Sequence, residues 1–232
     1  YEAILRRAEE EADVIMWDGG NNDLPFYRPD LHIVLADPLR PGDEAGYHPG
    51  EANVRMADLV IINKCDVASE DAIAQVEASV RGLNPDATVI RCDSPVTVED
   101  PELVRGKRAL VIEDGPTLTH GSMSFGAGVV GAKAAGVAEI VDPSPYAVAS
   151  LAATYAKYPN ARGILPAMGY GDAQIRDLEA TIEATPCDAI VSGTPTDITR
   201  VLTTTKPITR ARYALEELDP GRIEAAVTDL LS

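Results

Sequence analysis

The stretch DLVIINKCD, Asp58 to Asp66, sets the reading of this chain. Leu59, Val60, Ile61 and Ile62 are apolar β-formers in an unbroken run, without the alternation of a half-exposed strand. A strand of that kind is buried on both faces, as in a parallel sheet covered by helices. It stops abruptly at Asn63-Lys64-Cys65-Asp66. Outward from this point, short apolar runs recur at 13–18, 31–37, 87–92, 109–114, 138–142, 162–168, 188–193 and 208–213. Helical patterns separate them at 1–12, 50–57, 69–83, 126–135, 145–157, 172–184, 196–203 and 220–231. Ser69 and Asp172 are candidate N-caps. Alternating strands and helices predict an α/β fold with a mainly parallel sheet and helices on both faces. A Pro- and charge-rich stretch at 94–108 suggests a boundary, giving units 1–95 and 96–232, or one long connection within a continuous sheet.

The 232 residues carry 37 acidic and 20 basic side chains, a net charge of −17. That balance argues against nucleic-acid binding, which rests on neutralising phosphates with Lys and Arg. The three cysteines, Cys65, Cys92 and Cys187, form no CxxC pair, so neither a zinc site nor a disulfide framework is indicated. No apolar run reaches the roughly 18–20 residues of a membrane span. A reduced, cytoplasmic setting is the expectation, with a homodimer possible. The chain opens without Met inside a helical pattern, which suggests a fragment of a longer protein.

In parallel sheets ligands bind beyond the carboxyl ends of the strands. Polar residues collect at those ends: Asp18 before Gly19-Gly20, Asp37, Asn63-Lys64-Cys65-Asp66, Glu113-Asp114-Gly115, and Gly193-Thr194-Pro195. Asn-Lys-x-Asp after a parallel strand is how many GTP-binding folds read guanine; the alternative is a polar turn of chance composition. An apolar run ending in Asp18 followed by glycine resembles the second acidic motif of P-loop NTPases, where the carboxylate holds Mg²⁺. The phosphate loop G-x-x-x-x-G-K-[ST] is found at none of the lysines, 64, 107, 133, 157 or 206. The expectation that follows is a loop lying before Tyr1. Gly126 to Gly131 matches G-x-G-x-x-G, the dinucleotide fingerprint, with Asp142 as its acidic partner. Small residues that let a helix pack closely on a sheet are the plainer explanation. Arg28, Arg40, His48 and Arg55 concentrate positive charge in an acidic chain, which suits an anionic ligand. His120, in a loop rich in hydroxyls and glycine, is a candidate for proton transfer or anion binding.

Four long segments carry a resemblance: WDGGNNDLPFYRPDLHIV (17–34), DPLRPGDEAGYHPGEANVRMADLVIINKCD (37–66), EDGPTLTHGSMSFGAG (113–128) and LPAMGYGDAQIRDLEATI (165–182). Together they are similar to cyclic 2,3-diphosphoglycerate synthetase and its GTPase-like bacterial relatives, in the part after the phosphate loop. The resemblance implies a P-loop-NTPase-like fold and an ATP-dependent ligase. That ligase closes 2,3-diphosphoglycerate into an intramolecular phosphoanhydride with ATP, or GTP, and Mg²⁺. It implies that Asp18 holds Mg²⁺ and that Asn63, Lys64 and Asp66 face the base; Gly193, Thr194 and Pro195, from their strand-end position, are further nucleotide candidates, and Asp18 and His120 are the catalytic candidates. Asp37, Arg40, His48, Arg55, Thr117, Thr119 and Gly121 are the substrate candidates. An isolated chain without the phosphate loop is expected to be inactive. The alternative is a GTPase-like protein acting on a partner protein or another phospho-acid.

Overall fold

A computed structural model describes residues 1–20, 23–115, 124–169 and 171–231. The chain forms two compact units, Tyr1–Pro95 with Ala214–Ser232, and Val96–Tyr213.

In the first unit β1 (Ile33–Ala36), β2 (Leu59–Ile62) and β3 (Thr88–Asp93) run parallel in that order. The register pairs Ile33 with Leu59 and Leu59 with Thr88. The short β10 (Glu216–Glu217) adds antiparallel to β3. β2 is buried along its whole length, as its unbroken apolar run requires. Its side chains alternate between two layers. Val60 and Ile62 meet Val54 of α3 (Gly50–Met56) and Ile73, Val76 and Val80 of α4 (Glu70–Leu83). Leu59 and Ile61 meet Ile90 and Cys92, with Ile223 of α8 (Arg222–Leu231) against them. Ser69 caps α4 as expected, its hydroxyl accepting from the Ala72 N–H at 3.3 Å. α1 (Glu2–Glu9) buries no residue, and α2 (Asp43–Gly46) is a single turn.

In the second unit the strand order is β4 (Val96–Val98), β9 (Ile208–Tyr213), β8 (Ala189–Ser192), β5 (Arg108–Asp114), then β6 (Glu139–Ile140). β7 (Leu165–Ala167) also pairs with β5. All pairings are parallel except β4 with β9. Ala109 and Val111 face α5 (Ala127–Ala134) and Tyr155 of α6 (Ala149–Lys157). Leu110 and Ile112 face Leu178 and Ile182 of α7 (Asp172–Ala184).

Four expectations change. Residues 13–18 form no strand: Val14 to Asp18 are exposed, and Trp17 turns edge-on to Phe26 and Tyr27 at 4.9 and 5.5 Å. A strand needs a neighbour's backbone to close its ladder, and no described strand pairs with this segment. The helix expected over 196–203 is only a 3-10 turn, Ile198–Arg200, where the Asp197 carboxylate accepts from Thr199 and three threonines follow. The α7 N-cap is Gly171, and Asp172 is the first helical residue. The two sheets are separate, so the continuous-sheet alternative falls away.

Candidate functional site

The carboxyl ends of β1 and β2 leave the first sheet side by side, because the Asn63 N–H donates to the Ala36 carbonyl at 3.0 Å. Asp37, just past β1, is the centre of the polar cluster there. Its Oδ1 accepts from the Leu39 N–H at 3.0 Å. Its Oδ2 accepts from Lys64 Nζ at 2.6 Å, with the Arg40 guanidinium at 3.5 Å from the same oxygen. Arg40 also lies 3.8 Å from Asp43. Lys64 has φ 63°, the left-handed region, which costs a residue with a Cβ about 1–2 kcal/mol. Such outliers persist where the surroundings hold them, and they gather at functional sites. Asp66 uses one carboxylate oxygen to accept from the Ser94 N–H at 3.0 Å.

The structure therefore brings Asp37, Arg40, Asn63, Lys64 and Asp66 to one sheet edge. Asp18 is not at a strand end; it is an exposed residue next to Gly19. Arg55 is committed elsewhere: its Nε and Nη2 hold Glu51 at 2.8 and 2.6 Å, and its Nη1 donates to the Leu83 carbonyl at 3.3 Å. His48 is exposed. Among the described residues no three His, Cys, Asp or Glu side chains converge as a metal cage.

At the corresponding edge of the second sheet the principal group is Glu113, the penultimate residue of β5, 1% exposed. Its Oε1 accepts from the Gly126 and Val129 N–H groups at 3.0 and 2.9 Å, at the start of α5. Burial pushes its carboxyl above the ordinary range, opposed by hydrogen bonds from Val129, Gly128 and Gly126. Burial also raises Asp114. The glycines of the fingerprint-like segment serve this contact: a Cβ on Gly126 would sit 2.6 Å from Glu113 Oε2. The positive end of α5 is thus already taken by a carboxylate of the chain itself, where a dinucleotide would place its pyrophosphate. Asp142, the acidic partner in that reading, is turned to its own loop. Burial works to raise it, yet hydrogen bonds from Ser144 N–H (2.8 Å), Ser144 Oγ (2.9 Å) and Gly163 N–H (3.0 Å) hold it below the usual carboxylate value.

Gly193, Thr194 and Pro195 belong to this second unit, while Asn63, Lys64 and Asp66 belong to the first. A Cβ on Gly193 would meet Glu113 Oε2 at 2.4 Å and the Gly128 nitrogen at 2.5 Å. Thr194 is buried, sharing a 3.1 Å hydroxyl contact with Ser192 and donating to the Thr196 carbonyl at 2.7 Å. The Pro195 carbonyl accepts from Arg210 at 3.0 Å. These contacts give all three residues a packing role. Thr117, Thr119, His120 and Gly121 lie outside the described residues.

The sequence pattern passed over Glu44 and Asn53, which are 8% and 5% exposed. It noted Glu113 only as a strand end. An acid closing a fully apolar strand, followed by a glycine-flanked helix start, was the available signal for Glu113; no pattern marked the other two.

A family model described as cyclic 2,3-diphosphoglycerate synthetase, P-loop domain, matches residues 2–92. Arginine synthetase ArcE of Thermococcus kodakarensis is 56% identical over 229 residues, 99% of this chain and 51% of that protein. A cyclic 2,3-diphosphoglycerate synthetase of Thermococcus sibiricus is 22% identical over 114 residues, 48% of this chain and 26% of that protein. The chain spans about half the length of the first of these relatives. The domain match overturns the expectation of a fragment lying downstream of the phosphate loop, since residues 2–92 are themselves matched by the P-loop domain. It also removes the ground on which the isolated chain was expected to be inactive. Residues 2–92 are thus similar to the P-loop domain of cyclic 2,3-diphosphoglycerate synthetase, and nearly the whole chain is similar to about half of an arginine synthetase.

Proposed function

We propose that this protein is an ATP-dependent ligase that activates a small substrate by phosphoryl transfer, then joins a second group at the activated centre. The observation that carries this reading is the 56% identity to an arginine synthetase over 99% of the chain. Arginine, or a molecule of its kind, is the product this favours. Closure of 2,3-diphosphoglycerate into its cyclic phosphoanhydride is the second reading, supported by the family match over residues 2–92 and by the relative at 22% identity. Both share one chemistry, an oxygen taking the γ-phosphoryl group with release of ADP, followed by attack of a nucleophile that displaces inorganic phosphate. They differ in whether the final nucleophile is nitrogen or a second phosphate oxygen.

In this reading Asn63, Lys64 and Asp66 face the base, and the left-handed conformation of Lys64 at that sheet edge supports it. The free oxygen of Asp66 is the one available to the nucleotide, because the other holds Ser94. Guanine would use that oxygen better than adenine, whose ring nitrogen is itself an acceptor, and this keeps a GTPase-like activity in view. Mg²⁺ needs only one or two carboxylates when nucleotide phosphates complete its shell. Asp18, exposed beside a glycine, fits that requirement; when bound, the ion would stabilise charge on the transferring phosphoryl group. Among the described residues no helix is long and apolar enough to cross a membrane, and a cytoplasmic setting agrees with the three free thiols.

The test runs the reaction backwards. Full-length protein given ADP, phosphate and arginine should form ATP. No ATP with arginine, but ATP consumption with 2,3-diphosphoglycerate, would establish the second reading. Hydrolysis of GTP alone, with neither substrate used, would remove both.

A further inference from the structure

Among the described residues, five buried side-chain polar atoms have no hydrogen-bond partner: Arg40 Nε, Glu44 Oε1, Asn53 Oδ1, Asn63 Oδ1 and Arg210 Nε. Four of them fall between residues 40 and 63 of the first unit. Buried polar groups are nearly always paired, so each exception calls for a cause. A cluster of them calls for a common one.

The four residues belong to one connected patch. Asn63 leaves β2 beside Asp37, and Arg40 reaches Asp37 and Asp43. Asp43 opens α2, whose next residue, Glu44, holds the Gly42 N–H with Oε2 at 2.9 Å and leaves Oε1 unused. α2 packs on α3. There Asn53 donates its amide to the Asp23 carbonyl at 2.8 Å and leaves its own oxygen unused. Glu44 and Asn53 are both more than nine-tenths buried.

The unused atoms are three acceptors and one donor, and one acceptor belongs to a carboxylate. A polyanion such as a bisphosphate would meet mainly oxygen here, at high cost. A ligand with several N–H groups and a positive charge satisfies the acceptors, and an accompanying carboxylate satisfies Arg40. We propose that Arg40, Glu44 and Asn53 form the binding site for the cationic, N–H-rich end of an amino-acid substrate or product, a guanidinium above all, with Glu44 as its charge partner, while Asn63 stays with the nucleotide. The proposal rests on the arginine-forming reading. It also accounts for Arg55, expected on a phosphate, being tied to Glu51 instead. The four atoms are closed from solvent without ligand, so binding turns Glu44 and Asn53 toward the incoming group.

The experiment measures arginine, 2,3-diphosphoglycerate and ATP affinity by calorimetry on full-length wild type and Glu44→Gln. The amide keeps size and the Gly42 contact and removes the charge, and ATP affinity on the same samples reports intact folding. The expected result is arginine binding weakened about tenfold or more in Glu44→Gln, as for loss of a charged hydrogen bond, with ATP binding unchanged. Asn53→Ser, with a shorter acceptor, should weaken arginine as well. Arginine binding that both variants leave at the wild-type level would overturn this site and leave the arginine-forming reading intact. Wild type that binds 2,3-diphosphoglycerate and not arginine would overturn both.

Discussion

Removing the Glu113 carboxylate tests the largest unusual feature of the second unit. In Glu113→Ala the Gly126 and Val129 N–H groups lose the oxygen they share. Each buried donor left without a partner costs about 1–3 kcal/mol, so the loss is about 2–6 kcal/mol. Glu113→Gln keeps a carbonyl oxygen for both donors and should cost about 1 kcal/mol or less at neutral pH. The pH dependence separates them further. Burial raises the Glu113 carboxyl above its ordinary 4.5, so between 4.5 and the folded-state value the native protein binds more protons than the unfolded chain. Stability from this group is therefore fully present below 4.5 and is lost as pH rises through the folded value. Glu113→Gln should abolish that part of the slope. Guanidinium denaturation followed by far-UV circular dichroism at pH 5 and pH 8 measures it. The fluorescence of Trp17, the only tryptophan and a residue of the first unit, separates that unit's unfolding from the second's. Equal stability of the Ala and Gln variants, or an unchanged slope in Glu113→Gln, would refute the reasoning.

Gly193→Ala should destabilise the second unit by about 1–3 kcal/mol, because its Cβ would fall 2.4 Å from Glu113 Oε2 and 2.5 Å from the Gly128 nitrogen; wild-type stability in the same denaturation series would show that the loop yields. Asp18→Asn should lower turnover of the full-length enzyme by about a hundredfold or more, the scale of lost electrostatic stabilisation of about 2.7–4 kcal/mol, with its circular dichroism unchanged. Turnover at the wild-type level in saturating Mg²⁺ would make Asp18 a turn residue. Asp66→Asn should leave ATP and xanthosine triphosphate ranked as in wild type if adenine is the natural base, and should shift preference from GTP toward xanthosine triphosphate if it is guanine. Competition binding decides between these, and unchanged affinity for all three nucleotides would take Asp66 out of the site.

The sequence alone determined the strands whose side chains are buried on both faces. Leu59–Ile62, Ala109–Ile112 and Ala189–Val191 are continuous apolar runs because each packs between two helix layers, and that demand is written locally. It also determined which strand ends are polar, and hence that Asp37, Asn63, Lys64 and Asp66 are candidates, since a polar residue closing such a run has few places to go except the sheet edge. Strands of two or three residues, β4 and β10, left no such record. Their pairing depends on residues about a hundred positions away, Val98 with Ala211 and Glu216 with Asp93. The same limit governs residues 13–18, apolar enough for a strand but with no described neighbour to hydrogen-bond. Partner choice was likewise invisible: that Lys64 meets Asp37, that Arg55 is spent on Glu51, and that Glu113 rather than a ligand fills the start of α5. Composition gives the charges, but only the packed chain decides which of them are paired and which buried oxygens are left waiting for a donor.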